Sequence, residues 1–270
     1  MKRSEIAQQY LKALDLHNPK LDLKFLSNLT RRHVAIFAFS SVGCRLREDL
    51  PLDLNSLYQR IVVQRRGGYC FEQNGLLYEI LEELGFSIQL YLARVIYNQT
   101  HHPGLTHRIT VVELHGRKYI TDVGFGSLGP RIPVLISENE SKDDDRTFRV
   151  TEPRKGDFHM QVLKDGSFFS LYRFEFARYG QADCEVGHFF SHKHPKASFV
   201  NHLVVSRILK SEIRSLRDLT YWVITESGTQ EVRIDHAFQL RKILIGKFGI
   251  QVTEEESRQL YKGSLQSESD

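Results

Sequence analysis

The sequence predicts an α+β protein laid out as helices, then strands, then a mixed C-terminal part. Three observations carry this. Apolar residues recur at helical spacing through the first 85 residues. From residue 86 they switch to alternation and β-branched runs, and beyond about residue 180 both textures return. Expected boundaries near 90 and 185 give a helical unit over 1–90, a strand-rich unit over 91–185 and an α/β unit over 186–270.

The elements follow in order. SEIAQQYLKAL is a helix with Ser4 in the cap position, and LKFLSNLTRRHVAIFAF is a second. DLNSLYQRIV starts at Asp53 or Asn55, both good caps. From Cys70 to Leu84, the side chains of Leu77, Ile80, Leu81 and Leu84 share one face, and Gly85 supplies the stop. Strands are expected at 86–97, 107–114 and 118–125, the last two flanking His115-Gly116-Arg117. Further strands fall at 147–151, 159–164 and 167–174, the last pair joined by the turn Asp165-Gly166. SENESKDDDRT (137–147) reads as a solvated acidic loop. In the C-terminal part QADCEVGHFFSH is helical, and NHLVVSRIL, LTYWVIT and QEVRI are strands. DHAFQLRKILIGKFGI is a helix capped by Asp235 and ended by Gly249, and the tail adds a helical turn or two before fraying.

Composition narrows the function classes. Apolar residues at 41% and charged residues at 26% fit a soluble globular chain. The net charge of +4 is small and its signs are interspersed, so no nucleic-acid partner is expected. No apolar run approaches the roughly 18 residues of a membrane span, and MKRSEIAQQYLKAL has no signal-peptide core. The three cysteines, Cys44, Cys70 and Cys184, are odd in number and lack C-x-x-C spacing. That argues against a disulfide framework and for a reducing compartment, hence the cytoplasm. No metal is called for, and the oligomeric state is left open.

One stretch carries chemistry: RRGGYCFEQNGLLYEIL, residues 65–81. Cys70 stands at a helix start, where unpaired N–H groups and the helix dipole favour a thiolate. Gly67-Gly68 lets the backbone turn sharply into that helix. Taken alone, the position suits a packed hydrophobe as well as a nucleophile. A nucleophile also needs a base and a group to orient it. The hairpin over 107–125 supplies a pair by parity. With a two-residue turn at His115-Gly116, Ile109 lies opposite Asp122 and His107 is its diagonal neighbour, about 7–8 Å away between backbones. A three-residue turn would flip the parity and separate them. Aspartate is disfavoured in a β-rich stretch such as YITDVGFG, so Asp122 there points to a specific partner.

These residues resemble the arylamine N-acetyltransferases. RRGGYCFEQNGLL is similar to that family's signature around its acyl-accepting cysteine. THRITVVELHGRKYITDVGFG is similar to the signatures carrying its histidine and aspartate. The resemblance implies a papain-like Cys-His-Asp core in which Cys70 is the nucleophile, His107 the base and acid, and Asp122 its orienter. It implies an N-terminal helical bundle, a β-barrel-like central domain and a C-terminal α/β lid. The reaction implied is ping-pong transfer of acetyl from acetyl-CoA, through a Cys70 thioester, to arylamines, hydrazines or the oxygen of N-hydroxyarylamines. Phe39, Tyr69 and Phe125 would wall the acceptor pocket. The Cys70 N–H and the backbone near Thr106 would receive the oxyanion. Gly124, Gly126 and Ser127 of GFGSLGP would run beside coenzyme A, with Lys196 of HPKASF near a phosphate.

The sequence departs from the family at its P-F-E-N stretch, where Ala38-Phe39-Ser40-Ser41 stands. That leaves the partner of Arg66 open, with Glu72 one candidate and no partner the other. A papain-like or transglutaminase-like peptidase or amide-transfer enzyme shares the order Cys, His, Asp and is the alternative.

Overall fold

The structure, a computed structural model, describes residues 1–267. Helix α1 (Arg3–Ala13) is capped by Lys2, whose N–H donates to the Glu5 carboxylate at 3.0 Å, so Ser4 already lies inside the helix. Helix α2 (Leu23–Ile36) is capped by Asp22, which accepts from Phe25 N at 2.7 Å. It ends before the short strand β1 (Phe39–Ser40) and helix α3 (Val42–Arg45). Asp53 caps α4 (Leu54–Tyr58), which widens into a π-helical turn over Gln59–Val63. Helix α5 (Cys70–Glu83) stops at Gly85, whose φ of 86° needs glycine. These helices enclose Ile6, Tyr10, Leu26, Leu57 and Leu77.

Eight strands follow: β2 (Ser87–Val95), β3 (His107–Leu114), β4 (Arg117–Thr121), β5 (Val134–Leu135), β6 (Ser141–Asp143), β7 (Arg146–Arg154), β8 (Asp157–Lys164) and β9 (Ser167–Phe174). They form an antiparallel sheet in the order β5-β4-β3-β2-β9-β8-β7-β6. It curls almost shut: Val150 N on β7 donates to Ser137 O, just past β5, at 3.1 Å. Ile109, Ile120, Phe148, Met160 and Leu171 fill the resulting barrel. Two hairpins set its register. His115 (φ 50°) and Gly116 (φ 72°) turn β3 into β4, and Asp165 (φ 50°) and Gly166 (φ 78°) turn β8 into β9, as type I′ turns require. The acidic run 137–147 is not the solvated loop its composition suggests. It contains β6, and Asp143 is buried, accepting from Arg131 Nε at 2.7 Å and Arg31 at 2.8 Å. A buried carboxylate is tolerable there because two guanidinium groups pair with it.

The remainder comprises α6 (Gln181–Lys193), α7 (Ser198–Asn201), β10 (Val204–Ile208), β11 (Ile213–Arg217), β12 (Thr220–Thr225), β13 (Gly228–Arg233), α8 (Ala237–Ile243) and α9 (Glu254–Ser267). The second sheet runs β1-β10-β11-β12-β13, so a strand from the helical part pairs with the C-terminal part. Strand β11 escapes pattern reading because two of the five residues in its IRSLR sequence are cationic. His236, not Asp235, caps α8: its ring nitrogen accepts from Gln239 N at 3.2 Å. The chain then continues through a π-helical turn to Gly249. The terminal helix is also longer than the expected turn or two, with 14 residues. The fraying expected of the extreme tail falls on residues 268–270, outside those described. No described helix is long and apolar enough to cross a membrane.

Candidate active site

Two glycines bring the site together. A Cβ on Gly67 (φ 69°) would lie 2.7 Å from Ala38 O. A Cβ on Gly124 would lie 2.7 Å from the Cys70 Cα and 2.8 Å from Asn74 Nδ2. Only glycine lets the segment after β4 touch the start of α5 this closely. The ladder pairs Leu114 with Arg117 and Thr110 with Thr121. One step further along that register, Asp122 faces Ile109, with His107 on the diagonal. The turn is thus the two-residue form that joins imidazole to carboxylate.

His107 Nε2 and Asp122 Oδ2 are 2.7 Å apart. The other oxygen, Oδ1, accepts from Asn74 Nδ2 at 2.8 Å and from Gly124 N at 2.9 Å. Asn74 is itself fixed, donating to Arg108 O at 2.6 Å and accepting from Val123 N at 2.9 Å. With Nε2 committed to Asp122, Nδ1 is the ring nitrogen left to exchange a proton with the Cys70 thiol, whose side chain also raises the imidazole's affinity for its proton. Cys70 Sγ lies 3.4 Å from Thr106 O. The rings of Phe125 and Tyr172 pack on His107, with centroids at 5.2 and 4.9 Å.

The electrostatics follow from this geometry. Burial pushes the His107 imidazole down, but the Asp122 charge and hydrogen bond, with the Cys70 side chain, carry it up to about 10. Burial raises the Asp122 carboxyl, and His107, Asn74 and the Gly124 N–H more than reverse that, holding it below its ordinary range. Both shifts favour a carboxylate and an imidazolium in the pair.

Cys70 and His107 stand at a cleft of about 330 Å³, with Asp122 buried behind the imidazole. Cys70, His107 and Gly124 line it together with Phe39, Tyr97, Phe125, Phe190 and Phe199, and Lys196 and Arg217 add positive charge. Several sequence expectations need correction here. Tyr69 is not a wall: it is fully buried, stacked on His188 with its hydroxyl bonded to that ring. Thr106 does line the cleft, but its N–H already donates to Gly104 O at 3.0 Å, so it presents a carbonyl rather than an oxyanion donor. Gly126 and Ser127 are not among the lining residues. Arg66 donates to both Glu256 oxygens at 2.9 Å, to Gln251 O at 2.7 Å and to Glu48. Glu72 is not its partner. That carboxylate is buried, takes Tyr69 N at 3.1 Å and ion-pairs with Arg60 at 2.7 Å. Ser41 in turn bridges His202 O and Val204 N, at 3.0 and 2.8 Å, tying its loop to β10.

Sequence reading missed Asn74, although its position four residues after Cys70 places it on the same helix face. It also missed Tyr97, Tyr172, Phe190, Phe199 and Arg217, which reach the site from distant loops, strands and helices and carry no local signal. Among the described residues no cluster of three or more His, Cys, Asp or Glu side chains is arranged to hold a metal ion.

A thiol and an imidazole lining one aromatic cleft, the imidazole bonded to a buried carboxylate, are the equipment of acyl-group transfer through cysteine. Comparison with known proteins narrows that class. The profile of a family described as N-acetyltransferase matches residues 22–257. An arylamine N-acetyltransferase of Escherichia coli K12 is 34% identical over 191 residues, covering 70% of this chain and 68% of that one. A Salmonella typhimurium protein named arylamine N-acetyltransferase / N-hydroxyarylamine O-acetyltransferase is 27% identical, covering 85% and 83%. In fold, the Mycobacterium marinum arylamine N-acetyltransferase in complex with CoA superposes with a TM-score of 0.89 at 24% identity, over 95% and 98% of the two chains. The chain belongs to the arylamine N-acetyltransferase family and is an acyltransferase. These comparisons favour acetyl transfer over peptide-bond chemistry.

Proposed function

We propose that Cys70 carries the acetyl group in a ping-pong reaction between acetyl-CoA and an aromatic amine. The observation that carries this is the buried His107–Asp122 pair set against the Cys70 thiol. The Cys70 thiolate attacks the thioester carbonyl, the bond to the coenzyme A sulfur breaks, and coenzyme A leaves as a thiol with a proton from His107. The amine nitrogen then attacks the acetyl-cysteine. Its proton passes to His107 as the C–N bond forms and the C–S bond breaks. As the first residue of α5, Cys70 has an N–H without an intrahelical acceptor, the donor best placed for the oxyanion.

Arylamines are weakly basic and neutral near pH 7, which suits a cleft walled by Phe39, Phe125, Phe190 and Phe199. N-hydroxyarylamines share that trait, and we include them and hydrazines as acceptors. The Lys196 ammonium, which lines the cleft, is the group we assign to coenzyme A. In this reading residues 186–270 act as a lid over a papain-like core, since Phe190, Lys196, Phe199 and Arg217 all reach the cleft from that side. All three cysteines are free thiols, which suits the reducing cytoplasm.

Incubation with acetyl-CoA alone tests the proposal. Intact mass spectrometry should show one added acetyl group, absent in Cys70→Ala. A wild-type protein that gains no adduct overturns it.

A further inference from the structure

The active-site cleft has a neighbour. A second hollow of about 470 Å³ opens beside it and shares two walls with it, Thr106 and Phe190. Its other apolar walls are Leu92, Leu105 and Val186, with Arg94 and Asp183 also among its lining. The two lobes differ in chemistry. The first is walled by aromatic rings, as a flat aryl acceptor requires. The second is mainly aliphatic, with Phe190 its one ring. Val186 is 74% exposed and Phe190 45% exposed, so apolar surface there awaits cover. The Cys70 sulfur is directed at the partition between the lobes, 3.4 Å from Thr106 O. Whatever is attached to that sulfur begins its path at the shared wall.

We propose that this second lobe takes the alkyl tail of the acyl group, so that the protein accepts straight-chain acyl donors longer than acetyl. The inference rests on Cys70 being the acylated residue. In the step itself the donor's acyl carbon bonds to Sγ, its bond to the coenzyme A sulfur breaks, and coenzyme A leaves as thiol with the proton from His107. The tail then runs past Thr106 over Leu105 and Val186, while the aromatic lobe stays open for the acceptor.

Gly104 provides a test at a position with room for a side chain. It lines the second lobe but not the first, and a Cβ there meets only Thr106 Cγ2, at 3.6 Å. Gly104→Trp therefore narrows the lobe, and Val186→Asp puts a charge on its apolar wall. The rate of Cys70 acylation is followed by intact mass with acetyl-, butanoyl-, hexanoyl- and octanoyl-CoA. For the wild type kcat/KM should hold or rise along the series, at most about fourfold for each fully buried methylene. Both variants should lower the hexanoyl value about tenfold or more and leave the acetyl value within twofold. A wild type that takes acetyl but reacts at least tenfold more slowly with hexanoyl-CoA overturns the proposal. So does Gly104→Trp slowing acetyl and hexanoyl alike, because the lobe would then hold the part of the donor common to both. Failure of every donor, acetyl included, to acylate Cys70 would instead sink the thioester reading beneath it.

Discussion

Two histidines are buried against α5 and held in opposite charge states. His33 sits with Nε2 at 2.7 Å from Gln73 Oε1 and Nδ1 at 2.7 Å from the Tyr10 hydroxyl. Burial carries it down to about 4, and the Gln73 hydrogen bond offsets only part of that. His107 is as deeply buried and has its partner at the same 2.7 Å, yet it is carried up to about 10. The difference is that Asp122 bears a charge and Gln73 does not. Burial penalises the imidazolium in both places, and only a carboxylate outweighs it. The two arrangements hang from consecutive α5 residues: Gln73 holds His33, and Asn74 holds Asp122. One turn of helix thus fixes a neutral, structural imidazole and a charged, reactive one.

The sharpest way to break this contrast is Asp122→Asn. The retained Oδ1 still accepts from Asn74 and Gly124, so the fold is kept. The new amide turns its N–H₂ toward His107 Nε2, which must then accept. The ring proton moves to Nδ1, the side needed to take the thiol proton, and His107 becomes neutral like His33. Transfer should fall by roughly 10³–10⁴ in kcat/KM, with a far-ultraviolet circular dichroism spectrum like the wild type's. Turnover within tenfold of wild type would show that the carboxylate does not set the imidazole's role.

That pair was legible in the sequence because it depends on local rules. His115-Gly116 fixes a two-residue turn, the turn fixes parity, and parity places His107 beside Asp122. Cys70 was legible because the glycines and the apolar spacing mark a helix start. What escaped depends on partners far along the chain. Tyr69 turns into the core because His188, 119 residues away, receives its hydroxyl. Arg66 finds Glu256 across 190 residues. Asp143 lies in a run whose composition says solvent, and only the approach of Arg31 and Arg131 makes its burial tolerable.

The two histidines should also leave opposite marks on stability against pH. His33 binds a proton more readily unfolded than folded. Its contribution is therefore complete above pH 6.5 and lost as pH falls toward about 4, by at most about 1.4 kcal/mol per pH unit. His107 binds its proton more tightly when folded. Its contribution is complete below 6.5 and lost as pH rises toward about 10. Asp122, held below its ordinary range, adds stability that disappears only at more acidic pH than either. Urea unfolding from pH 4.5 to 9 should show His33→Gln flattening the acid limb and sparing the alkaline one. Parallel profiles for the two proteins would mean that His33 does not titrate with folding.

Gln73→Glu makes the converse change, placing a carboxylate where His33 now has an amide. If partner charge decides, the His33 midpoint, read from its imidazole proton shifts by NMR, should cross from below 6.5 to above it. The substitution has a cost of its own. Gln73 Nε2 donates to Ala38 O at 2.8 Å, and a carboxylate oxygen there would face the carbonyl without a proton. That lost bond costs about 1–3 kcal/mol, and the new ion pair offsets part of it, so the net destabilisation should be about 1 kcal/mol near pH 6. It should grow as pH rises and His33 loses its proton, the reverse of the wild-type His33 limb. A midpoint that stays below 6.5 would show that desolvation at this site exceeds what a carboxylate at hydrogen-bond distance can supply. His107 would then owe its state to more than Asp122, with the Cys70 side chain the other group that raises it.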